Sequence, residues 1–350
     1  MKHIKVSGNS YECGFQVGVK AREEITKAVQ LYKKMFRYNK VEWEKAREEA
    51  NKYIPWIQEY DEDIMEEIRG ISEGAEIDLL DIVALNARSE IMSSNDGCTS
   101  MAAVPPSTKY RETIIGQNWD WVGKIKDSLI ILEIEQDNKP KILMCTEAGI
   151  VGKIGMNSSG IGVCLNFLSI QQKEYGVPIH IVLRGILNSE FHSQTIGQIS
   201  RMPRGTAANY LIASKEGEAI DVEVTCDDYD VIYAENNYIT HSNHFCGPKY
   251  INIKDTSRLK FPDTHLRNKR AEKLLKQVDG EITVETFKEI LSDHINFPDS
   301  ICRHGEEIKP KLGRPLLANT VFSIIMNLTS GYIEVAPGQP CRNDFKRYEI

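Results

Sequence analysis

The chain has 350 residues, 41% of them apolar, and a formal net charge of −7. A large core is therefore affordable, in one large domain or two or three smaller ones, while the acidic balance speaks against a nucleic-acid face or a polybasic membrane patch. No run approaches the ~18 apolar residues that span a bilayer, and the opening residues lack the apolar core of a secretory signal, so a soluble cytoplasmic protein is expected.

Residues 11–94 read as helix after helix: a long proline-free stretch over 11–35, then 41–50, 61–72, and 79–92 with Asp78 as N-cap. After Gly97 the pattern changes to strands over 113–119, 128–135, 141–146 and 160–168, punctuated by Gly149, Gly152, Gly155, Gly160 and Gly162. Two helices are expected over 178–189 and 193–202, then strands over 209–214, 218–225, 229–234 and 238–241. Helices return over 267–278 and 284–293, before strands over 320–328 and 332–336. Strands, two helices, strands, two helices, strands is an order that stacks two antiparallel sheets between helix layers, a four-layer αββα sandwich of the α+β class. No repeat or interdomain linker stands out, so the helical segment 1–97 is expected to pack on the strand-rich sandwich spanning 98–350.

Eight cysteines are scattered without Cys-x-x-Cys spacing, which suits reduced thiols. One has a distinctive setting: Cys98 follows Asp96-Gly97, and some twenty residues later Gly116-Gln117-Asn118-Trp119-Asp120-Trp121 reads as a strand carrying a carboxylate. A thiol needs activation, and a nucleophile that heads a chain can use its own α-amine as base. That amine has a reference pKa of about 7.7–8.0 against about 10.4 for lysine, so it accepts a proton near neutrality. Cys98 is internal, so this chemistry requires cleavage after Gly97, whose missing Cβ leaves its carbonyl open to the thiol. Asp96-Gly97 also reads as an ordinary turn, and Cys98 as a bystander thiol.

These residues resemble the isopenicillin-N acyltransferase family, also called acyl-coenzyme A:6-aminopenicillanic acid acyltransferases, among the N-terminal-nucleophile hydrolases. The resemblance extends to 11–18, 156–162, 240–245 and 320–326, nearly the whole chain. It implies the αββα fold, self-cleavage between Gly97 and Cys98, and an N-terminal piece that stays bound. Carried over residue by residue, it makes Cys98 the nucleophile, Asp120 the acid that holds the freed amine, and Asn243 the oxyanion donor. Arg303 is the candidate for a late catalytic arginine, with Arg314 as competitor. The related bile-salt hydrolases and N-acylethanolamine amidases carry an arginine three residues before the aspartate; here that place is Gln117, so a fixed cation is expected from elsewhere. The implied reaction runs through an acyl-Cys98 thioester formed from a small amide or acyl-CoA-like thioester donor and resolved by water or an amine. No cofactor, nucleic acid or membrane partner is expected, and a homo-oligomer is left open.

Taken singly, Asp120 could be a strand-end carboxylate, Asn243 a turn former before Gly247-Pro248, and Arg303 a surface cation. Rival functions are a cysteine peptidase pairing Cys98 with His244 or His304, a non-enzymatic binding sandwich, and a metal site at His241, His244 and Cys246. For the last, strand alternation is expected to send His241 and His244 to opposite faces.

Overall fold

A computed structural model of the chain describes residues 1–92, 97–171, 174–305 and 318–350. Strand β1 (Lys2–Gly8) opens it, followed by α1 (Ser10–Lys20), α2 (Arg22–Tyr38), α3 (Trp43–Asn51), α4 (Ile54–Tyr60), α5 (Glu62–Ala75), α6 (Leu79–Asn86) and α7 (Arg88–Met92). Asn9 and Glu12 cap α1 reciprocally, each side chain accepting from the other's amide at 2.9 and 3.1 Å.

The proline-free stretch 11–35 is two helices, divided at Ala21. Gly14 and Gly18 bring α1 into backbone contact with Gly70 and Gly74 of α5: a Cβ on Gly14 would lie 2.1 Å from the Glu67 carbonyl oxygen, and one on Gly74 2.2 Å from that of Phe15. Beyond Ala21 the chain turns to bury Ile25, Ala28, Val29, Tyr32 and Phe36 along α2. Asp78 does cap α6, accepting from the Leu80 amide at 2.9 Å, but the stretch 79–92 is likewise divided, at Ala87.

The remaining elements are β2 (Gly97–Ala103), β3 (Ile114–Val122), β4 (Leu129–Gln136), β5 (Ile142–Glu147), β6 (Ile154–Asn157), β7 (Ile161–Phe167), α8 (Ile179–Leu187) and α9 (His192–Ser200). Then come β8 (Ala208–Ser214), β9 (Glu218–Val224), β10 (Tyr229–Tyr233), β11 (Tyr238–His241), α10 (Ser257–Lys260), α11 (Thr264–Gln277), α12 (Val284–Leu291), β12 (Ala318–Asn327), β13 (Tyr332–Pro337) and β14 (Lys346–Glu349). One sheet has the order β1-β4-β5-β6-β7-β8-β9-β10 and the other β11-β2-β3-β12-β13-β14. Every described pairing between these strands is antiparallel except β1 with β4.

The sheets face each other through β2, β3 and β7, with α8 and α9 outside the first and α11 and α12 outside the second. This is the expected αββα sandwich. Strands covered on both faces need not alternate, and β3 is buried from Ile114 through Trp121. Where the sheets approach most closely the side chain must vanish: a Cβ on Gly162 would meet Leu328 at 2.7 Å and Ile115 at 3.1 Å. Among the described residues no helix is long and apolar enough to cross a membrane.

The segment ahead of Gly97 is bound to the sandwich in two ways. β1, absent from the sequence expectations, pairs with β4 from Lys2 to Gly8. A buried ionic cluster then joins both sheets to the helices: Tyr32 of α2 donates to Glu147 Oε1, while Arg88 Nη2 and Lys153 Nζ donate to Oε2 at 3.2 and 3.0 Å. Lys153 Nζ sits 3.8 Å from the centre of the Trp119 ring on β3. Burial would raise the Glu147 carboxyl, but Arg88 and Lys153 outweigh it and hold the group down at about 2.

Glu147→Gln would leave two fully buried cations short of their counter-charge, so a loss of about 3–5 kcal/mol in denaturant unfolding near neutral pH is expected. Because the folded pKa lies below the ordinary value, this contribution is fully present above about pH 4.3 and fades as the pH falls toward the folded value. The gap between wild type and variant should narrow over that window. A gap that stays constant down to about pH 3 would show that the Glu147 charge is not what stabilises the cluster.

Candidate active site

The β2–β3 register sets the geometry. Gly97 lies opposite Asp120 and Cys98 opposite Trp119, on strands inside the second sheet. Asp120 is fully buried and Cys98 is 1% exposed. A Cβ on residue 97 would stand 3.0 Å from Asp120 Cβ and 3.2 Å from its Oδ2, so glycine is what lets the carboxylate lie against this backbone.

β11 pairs with β2 on the other side, His241 against Ser100, and delivers Asn243 to the same point. Asn243 Oδ1 accepts from the Cys98 amide at 2.9 Å, and its Nδ2 donates to the Phe167 carbonyl at 3.1 Å. The turn is fixed from α11, whose Thr264 hydroxyl accepts from the Asn243 amide at 2.7 Å. One helical turn on, Arg267 donates to the Cys98 carbonyl at 2.5 Å, to Thr99 Oγ1 at 2.8 Å and to Asn243 Oδ1 at 3.0 Å. The amide and carbonyl of Cys98 are thus both held by buried side chains.

Arg303 approaches from the segment after α12. Its guanidinium pairs with Asp263, with Asp299 at 3.3 Å, and with Asp120 Oδ2 at 3.5 Å from Nε. Asp263 also takes Arg267 Nε at 2.7 Å, so charges alternate along Arg267, Asp263, Arg303 and Asp120. Thr320 on β12 accepts from the Arg303 amide at 2.9 Å and donates to Asp120 Oδ1 at 2.7 Å. Asp120 Oδ2 is buried without a hydrogen-bond partner among the described residues. Burial raises the Asp120 carboxyl above its ordinary range, against the pull of Arg303, Arg267 and Thr320. Burial also opposes ionisation of Asp263, but there Arg267 and Arg303 prevail and its pKa is lowered.

The structure therefore brings Gly97, Cys98, Asp120, Asn243 and Arg303 together. Arg314 and Asp96 lie outside the described residues. Arg267, Asp263 and Thr320 escaped the sequence reading. The only signal for the first two is an Asp-x-x-x-Arg spacing at a helix start, which surface helices share. Gln117 does not stand in for a cation: its amide exchanges two bonds with the Leu165 backbone on β7, at 2.6 and 2.8 Å, and ties the sheets together. Among the described residues, Arg267 is a cation in contact with Cys98, at its backbone carbonyl.

The rival sites part company here. His244 turns Nδ1 to Thr264 at 2.9 Å and Nε2 toward Cys246 at 3.5 Å, while His304 turns Nε2 to Cys302, Cys341 and His294. Strand alternation does not separate His241 from His244, because β11 ends at His241; the rings stack with centroids 6.3 Å apart. The donors that converge there are Glu223, His241 and Cys246, without His244. His241 is engaged at both nitrogens, with the Ser242 carbonyl at 2.9 Å and Glu223 at 2.8 Å. Burial would lower its pKa, but Cys246, Asp221 and Glu223 hold it well above the ordinary value, which suits an imidazolium better than a ligand.

Two face-packed sheets between helix layers, with a cysteine heading an inner strand, define an N-terminal-nucleophile-type sandwich. The chain belongs to the acyl-coenzyme A:6-aminopenicillanic acid acyl-transferase family, whose model matches residues 107–339. It is 31% identical, over 98% of its own length and 94% of the other's, to the 40 kDa form of an acyl-coenzyme A:6-aminopenicillanic-acid-acyltransferase from Emericella nidulans. Similar solved structures include a mutant conjugated bile acid hydrolase from Clostridium perfringens, at TM-score 0.46 and 14% identity over 72% of this chain and 97% of that one. Another is a penicillin V acylase from Agrobacterium tumefaciens, at TM-score 0.48 and 10% identity over 72% and 86%. Its family membership makes the chain an enzyme of acyl-group chemistry.

Thr320→Val keeps the shape of β12 but removes the hydroxyl shared by Asp120 and Arg303. Two buried partners lose a bond, so a loss of about 1–3 kcal/mol in urea unfolding is expected. A variant as stable as wild type would show that the hydroxyl is not integral to the cluster.

Proposed function

We propose that the chain is a self-processing cysteine enzyme that transfers or hydrolyses acyl groups through an acyl-Cys98 thioester. One observation carries this reading: the Gly97–Cys98 junction is buried against Asp120, with the Cys98 amide held by Asn243 and its carbonyl by Arg267. In the proposed maturation Cys98 Sγ attacks the Gly97 carbonyl, the peptide nitrogen leaves as the new α-amine, and water opens the thioester. The pieces have 97 and 253 residues (350 less 97). The first would stay bound through β1 and the Glu147 cluster, leaving 98–350 as the catalytic domain.

The buried Asp120 Oδ2, which has no hydrogen-bond partner among the described residues, supports its proposed role, since an α-ammonium formed beside Gly97 would offer two N–H groups beyond the one that Asn243 takes. That amine then serves as base for Cys98. Asn243 supplies the oxyanion donor, and Arg303 favours the ionised form of Asp120, opposing the cost of burial. The family and the Emericella relative favour an acyl thioester or amide of a small molecule as donor, with water or an amine as acceptor.

Intact-mass measurement should give two co-purifying pieces for wild type and one for Cys98→Ala. Cleavage at the same bond in the alanine variant would overturn self-processing. An acyl-donor screen on the mature enzyme should then leave an adduct on the 253-residue piece, at Cys98.

Asp120→Asn, once cleaved, is expected to lose turnover by about 10² or more through loss of the positioned carboxylate. Asn243→Asp offers a sharper test of the oxyanion donor than truncation, because Asn243 is also bonded to Cys98, Arg267 and Phe167. The aspartate keeps the acceptor and loses the N–H, so turnover should fall by about 10²–10³ with substrate affinity little changed. A mature Asn243→Asp enzyme with unaltered turnover would remove this residue from the oxyanion role.

A further inference from the structure

Two thiols and two imidazoles meet at a point that the proposed acyl chemistry does not use. His294 Nε2 and His304 Nε2 are 3.1 Å apart, and His304 Nε2 is 3.4 Å from both Cys302 Sγ and Cys341 Sγ. The two sulfurs are 3.5 Å apart, and all four atoms lie within 4.8 Å of one another. Cys302 and His304 are buried, while His294 lies at the surface and leaves a path from solvent.

Ordinary hydrogen bonding does not explain this convergence. An imidazole nitrogen carries one in-plane proton or one in-plane lone pair and makes one directed bond at a time, yet three heteroatoms crowd His304 Nε2. A thiol adds only a weak donor and a weak acceptor. A disulfide between Cys302 and Cys341 would bring the sulfurs to about 2.05 Å and leave both imidazoles unexplained. A tetrahedral cation explains all four positions: Zn–S bonds of about 2.3 Å and Zn–N bonds of about 2.0–2.1 Å give donor–donor edges of roughly 3.3–3.8 Å. The four separations of 3.1–3.5 Å fall within a few tenths of an ångström of that range, and those from His294 to the two sulfurs are within 4.8 Å. Two thiolates and two imidazoles select Zn²⁺ over the oxygen-seeking Mg²⁺ and Ca²⁺, and four protein ligands make a closed, structural site.

The ligands come from two segments that need joining. His294, Cys302 and His304 lie in the stretch after α12, and Cys341 in the connection between β13 and β14. Cys302 and His304 bracket Arg303, whose amide and carbonyl bond Thr320 at 2.9 and 3.1 Å. We propose that His294, Cys302, His304 and Cys341 form a structural Zn²⁺ site that clamps residues 294–304 to the β13–β14 connection and so holds Arg303 in place. On binding, both thiols release their protons to solvent and the centre is electrically neutral.

The test uses the full chain, purified without chelators or a metal-affinity step. Elemental analysis should find about one zinc per chain, and the reduced apoprotein should take up Zn²⁺ or Co²⁺ to the same ratio. Co²⁺ should show thiolate charge-transfer absorption together with the visible bands of a tetrahedral centre. Cys341→Ser and His294→Ala, whose side chains lie away from the core, should lower zinc content several-fold while circular dichroism stays that of a folded protein. Amide exchange over 294–304 should rise when the wild-type metal is removed. The proposal is overturned if the reduced wild type neither carries nor takes up Zn²⁺ or Co²⁺, or if intact mass shows a Cys302–Cys341 disulfide in the native protein. Metal that is insensitive to these two variants but lost in Cys246→Ser would overturn it as well, by placing the ion at Glu223, His241 and Cys246.

Discussion

A charge can be buried only beside its opposite, and the Cys98 side of this sandwich is built on that constraint. Arg267, Asp263, Arg303 and Asp120 alternate in sign through a region where Arg267 and Arg303 are 1% and 4% exposed. Desolvating four ions is expensive, and each pair offsets the cost only while its neighbours stay in register. Truncating one member would strand the next. The chain therefore holds four segments in fixed relation: β3 with Asp120, the helix start with Asp263 and Arg267, the loop carrying Arg303, and the Cys98 carbonyl that Arg267 grips.

The sheets hold this ionic chain in place through bonds that have no catalytic duty. Gln117 and Ser100 reach from the second sheet to Leu165 and Asn166 on β7, with Ser100 Oγ donating to Asn166 at 2.7 Å. Asn118 donates to the Leu291 and Ile301 carbonyls at 2.8 and 2.9 Å, so the strand that carries Asp120 also fixes the approach of Arg303. On the far side the Glu147 cluster repeats the principle, one carboxylate neutralising cations from a helix and a loop beneath Trp119. Polar residues on β3 thus link layers that apolar packing alone would leave free to slide.

Much of this was legible in the sequence, for identifiable reasons. The order of strands and helices fixed the layers, and Gly97-Cys98 with Gln117-Asn118-Trp119-Asp120 named the junction and its carboxylate, because residues close in sequence meet through one hairpin. Asn243 and Arg303 came from resemblance, since nothing local distinguishes an asparagine before Gly-Pro from a turn former. Asp263 and Arg267 were invisible: an i,i+4 ion pair looks the same on a solvated helix as on one pressed against a strand 169 residues away. The helix breaks at Ala21 and Ala87 leave no proline or glycine signal because tertiary packing sets them. β1 pairs in parallel with β4, a partner more than 120 residues distant that local alternation cannot reveal. His241 and His244 came together because the strand ends at His241, three residues before His244, so alternation does not reach it.

The charge count around Cys98 bears on the proposed maturation. Asp263 is shared by Arg267 and Arg303, and Arg303 in turn reaches Asp120, whose carboxyl burial pushes upward and whose Oδ2 has no hydrogen-bond partner among the described residues. In the joined chain the nitrogen of residue 98 is a neutral amide whose single hydrogen goes to Asn243. Converting it to an α-ammonium would add one positive charge and two further donors on the side of the junction where Asp120 lies against Gly97. Burial that is unfavourable to the precursor would thus favour the product. The same field would hold the amine protonated until a thiol proton is to be moved, so Asp120 and Arg303 must be poised such that the amine still releases its proton near neutral pH. A buried carboxylate partly neutralised by a shared arginine meets that condition better than a lone one, because its remaining charge holds the ammonium without fixing it there.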